Sequence, residues 1–427
     1  MKRKVHILTL GCPKNQVDSE FLAAQLAANG YELVNSGDDA DVAIINTCGF
    51  IDAAKQESID AILSLTQNKK SGETKKVIVA GCMVERYKKE LRDGIPEVDA
   101  FYGTRDIGKI LSDLGAEYRY DIPGDRILST PSHYAYLKIS EGCDNPCSFC
   151  AIPLMRGRHI SKDSDIIINE ASRLASKGVK ELILVGQDTT YYGMDTTGKR
   201  ELPALLEKLS LIDGIEWIRL MYTYPSRFPE ELLDVIKDNE KICKYIDIPI
   251  QHISDRVLKS MRRGISGRKL RNLLIKIREK VPGISLRTTL IVGYPEETEK
   301  EFRELYEFVS EFKFDRLGVF TYSMEEGTPA AVLGDPVPAD EKESRQAAIM
   351  ELERKIISEK NANLVGKEIK VIVDKRDENN FVGRTEHDAP EIDTEVFIRS
   401  NTDVKPGEFV NVKIEDAFEH DLYGEVK

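Results

Sequence analysis

Apolar positions along the chain recur in two rhythms. Short runs rich in Val and Ile at residues 5–10, 42–46 and 77–80 alternate with longer amphipathic stretches at 17–29, 53–65 and 85–92. Strand followed by helix, repeated, predicts a parallel sheet with helices on both faces. Asn15, with Asp18 three residues on, is the predicted cap of the first helix. Residues 115–132 are polar and hold Pro123, Gly124 and Pro131, so they read as a linker.

The same alternation resumes beyond the linker. Strands are predicted at 136–139, 181–185, 217–221, 245–250, 285–292 and 316–320, with amphipathic helices between them. Six strand–helix units predict a barrel or an open part of one. From about residue 361 the rhythm changes to short strands in polar surroundings, at 367–373, 381–386, 395–400, 409–415 and 423–426. Five strands in so short a stretch fit a small Greek-key β-barrel. The predicted fold is α/β, in three domains: 1–120 with a parallel sheet, 129–358 with a partial (β/α)6 barrel, and 361–427 with a five-stranded barrel.

Composition narrows the compartment and the partner. The 427 residues include seven cysteines, an odd number that makes no disulfide framework and fits a reducing cytoplasm. The opening MKRKVHILTLGC is basic and then apolar, but its short alternating run reads as a strand and not as a secretion signal. No apolar stretch is long enough for a membrane span. The formal net charge is −12, against a protein that grips nucleic acid mainly through phosphates. Residues 361–427 carry nine Lys or Arg and sixteen Asp or Glu, which favours a basic protein partner over RNA. One segment pulls the other way: residues 256–280 hold ten Lys or Arg and one acid, either a solvated helix face or an RNA contact.

The chemistry lies in the cysteines. Cys143, Cys147 and Cys150 form a C-x3-C-x2-C loop that can turn three thiolates to one point. An iron–sulfur cubane usually takes four thiolates, so three leave an open iron; zinc or plain burial is the alternative. Cys12, Cys48 and Cys82 each follow a predicted strand, in LTLGC, INTC and VAGC. Ligands of parallel sheets bind beyond the carboxyl ends of the strands, so these three can meet as a second site, or stand as three separate buried thiols. Cys243 sits beside an apolar strand and reads as core. At the carboxyl edge of the central strands stand Gly186, Gln187, Asp188, Gln251 and His252. Each is either a cofactor contact or an ordinary polar turn, or for His252 a satisfied core histidine. Arg287 is a candidate for a carboxylate and Gly293 for close backbone approach to an adenine.

The C-x3-C-x2-C loop resembles the signature of the radical S-adenosylmethionine superfamily. LGCPKNQVDSE, NTCGFI and AGCMVERY resemble the first domain of its methylthiotransferases, and the last segment resembles their TRAM domain. Within that family GCDNPCSFCAIPLMRGRHIS and DIPIQHIS are similar to the branch that modifies an aspartate of ribosomal protein S12. The tRNA-adenosine branch shares the machinery and commonly differs at Gln251 to Ser254. The resemblance implies two [4Fe–4S] clusters, one on Cys143, Cys147 and Cys150 that binds S-adenosylmethionine, the other an auxiliary one on Cys12, Cys48 and Cys82. It implies a 5′-deoxyadenosyl radical that takes hydrogen from the aspartate β-carbon, and a methylthio group delivered from the auxiliary cluster. It also implies an electron donor and a sulfur source as partners. The resemblance implies contact with the methionine amine of the superfamily cofactor for Gly186, Gln187 and Asp188, while Gln251, His252, Arg287 and Gly293 stand as candidates from their strand-end positions, His252 for cofactor or substrate.

Overall fold

The computed structural model describes every residue except 1, 72, 73, 121–123 and 379, together with all but the side chain of Ser71. The first domain runs β1 (Lys4–Thr9), α1 (Pro13–Ala28), β2 (Glu32–Leu33), β3 (Val42–Thr47), α2 (Asp52–Ser71), β4 (Lys76–Gly81), α3 (Cys82–Gly94), β5 (Ala100–Tyr102) and α4 (Ile107–Asp113). Its strands are all parallel, in the order β2-β1-β3-β4-β5. Residues alternate between two buried faces: Ala43 and Ile45 pack under α2 and α3, Val42 and Ile44 under α1 and α4. A strand covered on both sides has to be apolar throughout, which is why β3 and β4 lack a polar face.

Asn15 does not cap α1. The helix starts at Pro13 with Cys12 in the capping position and no side-chain cap. Proline needs no hydrogen bond there, and its fixed φ suits the first turn. The predicted linker is tied down along α1: Gln25 exchanges hydrogen bonds with the backbone of Arg119, and Glu20 accepts from the backbone and hydroxyl of Ser129. Pro123, part of the linker signal, lies outside the described residues.

The central domain contains β6 (Tyr134–Lys138), β7 (Ser140–Glu141), α5 (Ile152–Arg156), β8 (Ile160–Ser161), α6 (Ser164–Ser176), β9 (Glu181–Val185), α7 (Leu202–Ser210), β10 (Trp217–Leu220), α8 (Glu231–Asp238), β11 (Ile242–Asp247), α9 (Asp255–Ser260), α10 (Gly267–Lys280), β12 (Ser285–Val292), α11 (Glu299–Phe312), β13 (Arg316–Thr321) and α12 (Ala339–Ala362). Six parallel strands lie in chain order from β6 through β9 to β13 in an open sheet, a partial barrel. β11 ends earlier than its apolar run suggested. Pro249 has no N–H, but Ile248 and Gln251 still donate across to β12.

The last domain is a closed barrel of β14 (Glu368–Asp377), β15 (Asn380–Thr385), β16 (Val396–Arg399), β17 (Phe409–Phe418) and β18 (Asp421–Val426), in the order β14-β15-β16-β18-β17. It covers the inner face of the central sheet. Helices cover the outer face, against Leu137, Leu182, Leu184 and Ile218. The inner face carries Tyr136, Ile183, Val185, Trp217 and Tyr245, and these pack against Ile372, Ala389 and Phe409 of the barrel and Val17 of α1.

This packing changes the charge argument. Asp374, Asp388 and Asp393 of the last domain turn inward and pair with Arg384, Arg316 and Arg287. Leaving aside those three acids and Arg384, thirteen acids face eight bases, so the acidic excess there is smaller than the sequence count. Half of the basic run is also answered within the chain. Arg256, Arg271, Lys276, Arg278 and Lys280 pair with Glu301, Glu311, Glu230, Asp315 and Asp234. Among the described residues no helix is long and apolar enough to cross a membrane.

Candidate site: two cysteine triads

Cys12, Cys48 and Cys82 follow β1, β3 and β4, three neighbouring strands, at the same edge of the first sheet. Asn15 ties this edge together. Its side-chain amide donates to Leu10 O at 2.8 Å and Thr47 O at 3.0 Å, one contact on each of two cysteine-bearing strand ends. Two glycines permit the close approach. A Cβ on Gly11 would fall 2.8 Å from Cβ of Cys48, and one on Gly81 would fall 2.6 Å from Thr47 O. Burial raises the Cys48 thiol, with Cys12 adding to the shift. Burial pushes Cys82 up to about 11, against the opposing charge of Arg156.

The second triad occupies the loop between β7 and β8, two short strands that pair antiparallel and close its base. Cys143 N donates to Gly157 O at 3.1 Å, and the Ser148 hydroxyl donates to Ser260 O at 2.8 Å. Two of the three thiols have specific side-chain neighbours. Asn145 donates to Cys143 Sγ at 3.4 Å, Arg263 donates to Cys147 Sγ at 3.2 Å, and the Tyr224 hydroxyl lies 3.4 Å from the same sulfur. Burial pushes Cys143 and Cys150 up to about 12. In the metal-free chain they are thiols, and binding iron has to displace their protons.

One feature fits an anionic iron–sulfur cluster here. Arg263 is 4% exposed, and among the described residues no carboxylate pairs with it; its guanidinium donates to Cys147 Sγ and Pro249 O and lies 4.3 Å from the centre of the Tyr224 ring, and its Nε has no hydrogen-bond partner. A buried cation without a counter-charge is costly, and metal-bound thiolates supply one.

Beside this loop, the carboxyl edge of the central sheet carries buried polar atoms with no hydrogen-bond partner. Ser140 Oγ follows β6, Gln187 Oε1 follows β9, Gln251 Oε1 follows β11 and Tyr322 Oη follows β13. Such atoms are rare in a finished interior, and several at one edge mark a place for a polar ligand. Gln251 has a φ of 71°, unusual for a side-chain-bearing residue and found where a site fixes the backbone.

The other predicted residues divide. Gly186 packs against Ser140, where a Cβ would fall 2.6 Å from Oγ. Asp188 is buried and accepts from Asn145 at 2.7 Å, one step from Cys143. His252 is fully buried with both ring nitrogens engaged, Nε2 at 3.1 Å from Glu297 and Nδ1 accepting from Ser254 N at 3.0 Å, so it stands as a satisfied core histidine. Arg287 binds Asp247 at 3.0 Å and faces Asp393 at 3.4 Å, so its guanidinium is committed to the domain interface. Gly293 has its N–H taken by Glu297, and a Cβ there would strike Lys342 at 2.3 Å. The space beside it is filled by α12. Cys243 is buried core, as its sequence suggested.

Sequence reasoning missed Arg156 and Arg263. Arg156 sits six residues past Cys150 and Arg263 within the basic run, and nothing local separates them from surface arginines. Arg156 ends α5, is 4% exposed, and reaches the other triad, donating from Nε to Cys82 Sγ at 3.2 Å.

Comparison with known proteins adds the lineage. Residues 4–103 match the uncharacterized protein family UPF0004, 137–309 the radical SAM superfamily and 365–426 the TRAM domain. The chain is 52% identical to the ribosomal protein uS12 methylthiotransferase RimO of Cytophaga hutchinsonii, covering 100% of this chain and 98% of that one. It is 49% identical to the RimO of Phocaeicola vulgatus over the full length of both. Among solved structures, the radical S-adenosylmethionine methyltransferase TsrM from Kitasatospora setae matches with a TM-score of 0.57 at 15% identity, over 78% of this chain and 77% of that one. At that identity the likeness speaks to the fold alone.

Proposed function

The chain belongs to the ribosomal protein uS12 methylthiotransferases, a radical S-adenosylmethionine family, and on that footing we propose that it places a methylthio group on the β-carbon of an aspartate in ribosomal protein S12. The observation that carries the reading is the approach of the two cysteine-bearing edges across a domain boundary: Cys82 packs against Ala151 and Met155, just past Cys150, and accepts from Arg156 of the same helix. A single radical initiator needs one triad. Replacing an unactivated C–H by C–S needs a second centre near the same carbon.

Cys143, Cys147 and Cys150 would hold one [4Fe–4S] cluster, and Cys12, Cys48 and Cys82 the other. When bound, the clusters and S-adenosylmethionine supply the radical that takes hydrogen and the sulfur that replaces it. The chain's own groups hold and exclude. Arg263 balances charge at Cys147, and Asn145 links Cys143 to Asp188. The free oxygens of Ser140, Gln187, Gln251 and Tyr322 are the contacts offered to the amine, carboxylate and hydroxyls of S-adenosylmethionine. The TRAM barrel covers the inner face of the sheet, leaving the cluster edge as the entrance and keeping water from the far side. The functional units are 1–120, 129–358 and 361–427, and the enzyme works in the cytoplasm, where ribosomes, an electron donor and a sulfur source are present.

The test is a substrate comparison. Reconstituted protein is incubated with free ribosomal protein S12, with small subunits and with tRNA, and each is weighed by mass spectrometry. A methylthio gain on S12 is expected; a gain on tRNA alone would overturn the proposal.

A further inference from the structure

Arg156 is surrounded by more than one neighbour that a surface arginine lacks. Its Nε donates to Cys82 Sγ at 3.2 Å, and another nitrogen donates to Asn15 Oδ1, the residue that ties the ends of β1 and β3. Its third nitrogen pairs with Asp18 at 2.8 Å and Glu141 at 3.0 Å, and Lys138 pairs with the same two carboxylates. Glu141 accepts from Gln187 at 2.8 Å. The guanidinium thus stands on the helix that leaves the Cys143–Cys150 loop and touches a sulfur of the opposite triad.

We propose that Arg156 is a positioning residue that sets the reduction potential of the auxiliary cluster and fixes its place relative to the first. The inference rests on the assignment of that cluster to Cys12, Cys48 and Cys82. Adding one electron makes a cluster more negative, and a cation hydrogen-bonded to a ligand sulfur favours the more negative state. Burial keeps water from screening the effect. Asp18 and Glu141 offset part of the positive charge, so they act in the opposite direction. Arg263 holds the equivalent place at Cys147 with no carboxylate beside it, so the two clusters sit in different fields.

The experiment isolates the auxiliary cluster. Full-length protein carrying Cys143→Ala, Cys147→Ala and Cys150→Ala is reconstituted anaerobically, its iron is counted, and it is titrated with dithionite while the reduced cluster is followed by electron paramagnetic resonance. Arg156→Gln is expected to shift the midpoint to more negative values, Arg156→Lys to shift it less, and Asp18→Asn to shift it to more positive values. A purely structural role would give no such opposed pair. If Arg156→Gln does not fold, the Lys and Asn variants still carry the sign test. Midpoints unchanged at full iron content overturn the role of Arg156. Absence of iron from the parent triple variant overturns instead the assignment of the auxiliary cluster, and with it the proposal.

Discussion

The hydroxyl of Tyr245, in the middle of the central sheet, donates a 2.7 Å hydrogen bond to the carboxylate of Asp393 in the TRAM barrel. Around that contact lies a ring of buried charge. Glu181 of β9 is shared by Arg219 at 2.7 Å and by Arg384 of the barrel at 2.8 Å, and Arg384 also holds Asp374. The inner face of the half-barrel is closed by another domain rather than by its own strands.

That interface predicts strong coupling of the two domains. Arg384→Met leaves Glu181 and Asp374 short of a partner in a dry setting. Removing one member of a buried ionic group costs about 3–5 kcal/mol. Chemical denaturation of the variant is expected to show that loss, with the barrel releasing before the core. A single unshifted transition would contradict it.

The two triads predict separable failures. Cys147→Ala should abolish formation of 5′-deoxyadenosine, while Cys82→Ala should keep some formation and stop methylthio transfer. Iron should fall from about eight per chain to about four in either variant. Product chromatography and iron analysis give the two readouts.

Gly81 adopts a φ of 104°, and its Cβ position lies 2.6 Å from Thr47 O. Gly81→Ala has both a strained backbone and a clash with a neighbouring strand. The strain alone costs about 1–3 kcal/mol. Because Cys82 is the next residue, the variant is expected to lose auxiliary-cluster iron more than it loses helical signal in circular dichroism.

Glu353 predicts a pH effect far from the clusters. Burial pushes its carboxyl up to about 7, against the pull of Arg316 and Arg354, with Asp393 adding to the rise and the His420 ring 3.9 Å away. The folded chain therefore holds a proton that the unfolded chain releases at an ordinary carboxyl value. This stabilisation is complete below the unfolded value near 4.5 and is lost as pH rises through about 7. Glu353→Gln is expected to remove that decline and to be more stable than the parent at pH 8, by on the order of 2 kcal/mol. Thermal unfolding at pH 5 and pH 8 compares them.

What the sequence alone determined is local or periodic. Strand–helix alternation marks the first two domains and a change to strands alone marks the third, because each rhythm records which face of an element is buried, and β9 and β12 coincide with their apolar runs. The triads are legible because Cys143, Cys147 and Cys150 are neighbours in the chain, and because parallel strands end at one edge, which places Cys12, Cys48 and Cys82 there. The long-range partners follow from packing between elements distant in the chain. By sequence Arg287 is a candidate ligand group; Asp393, more than a hundred residues on, stands beside it in the fold. His252 was ambiguous until Glu297 took its ring nitrogen. Arg156 and Arg263 looked like any other arginines, because burial and the neighbour of a guanidinium are set by how distant elements pack, and no pattern along the chain encodes that contact.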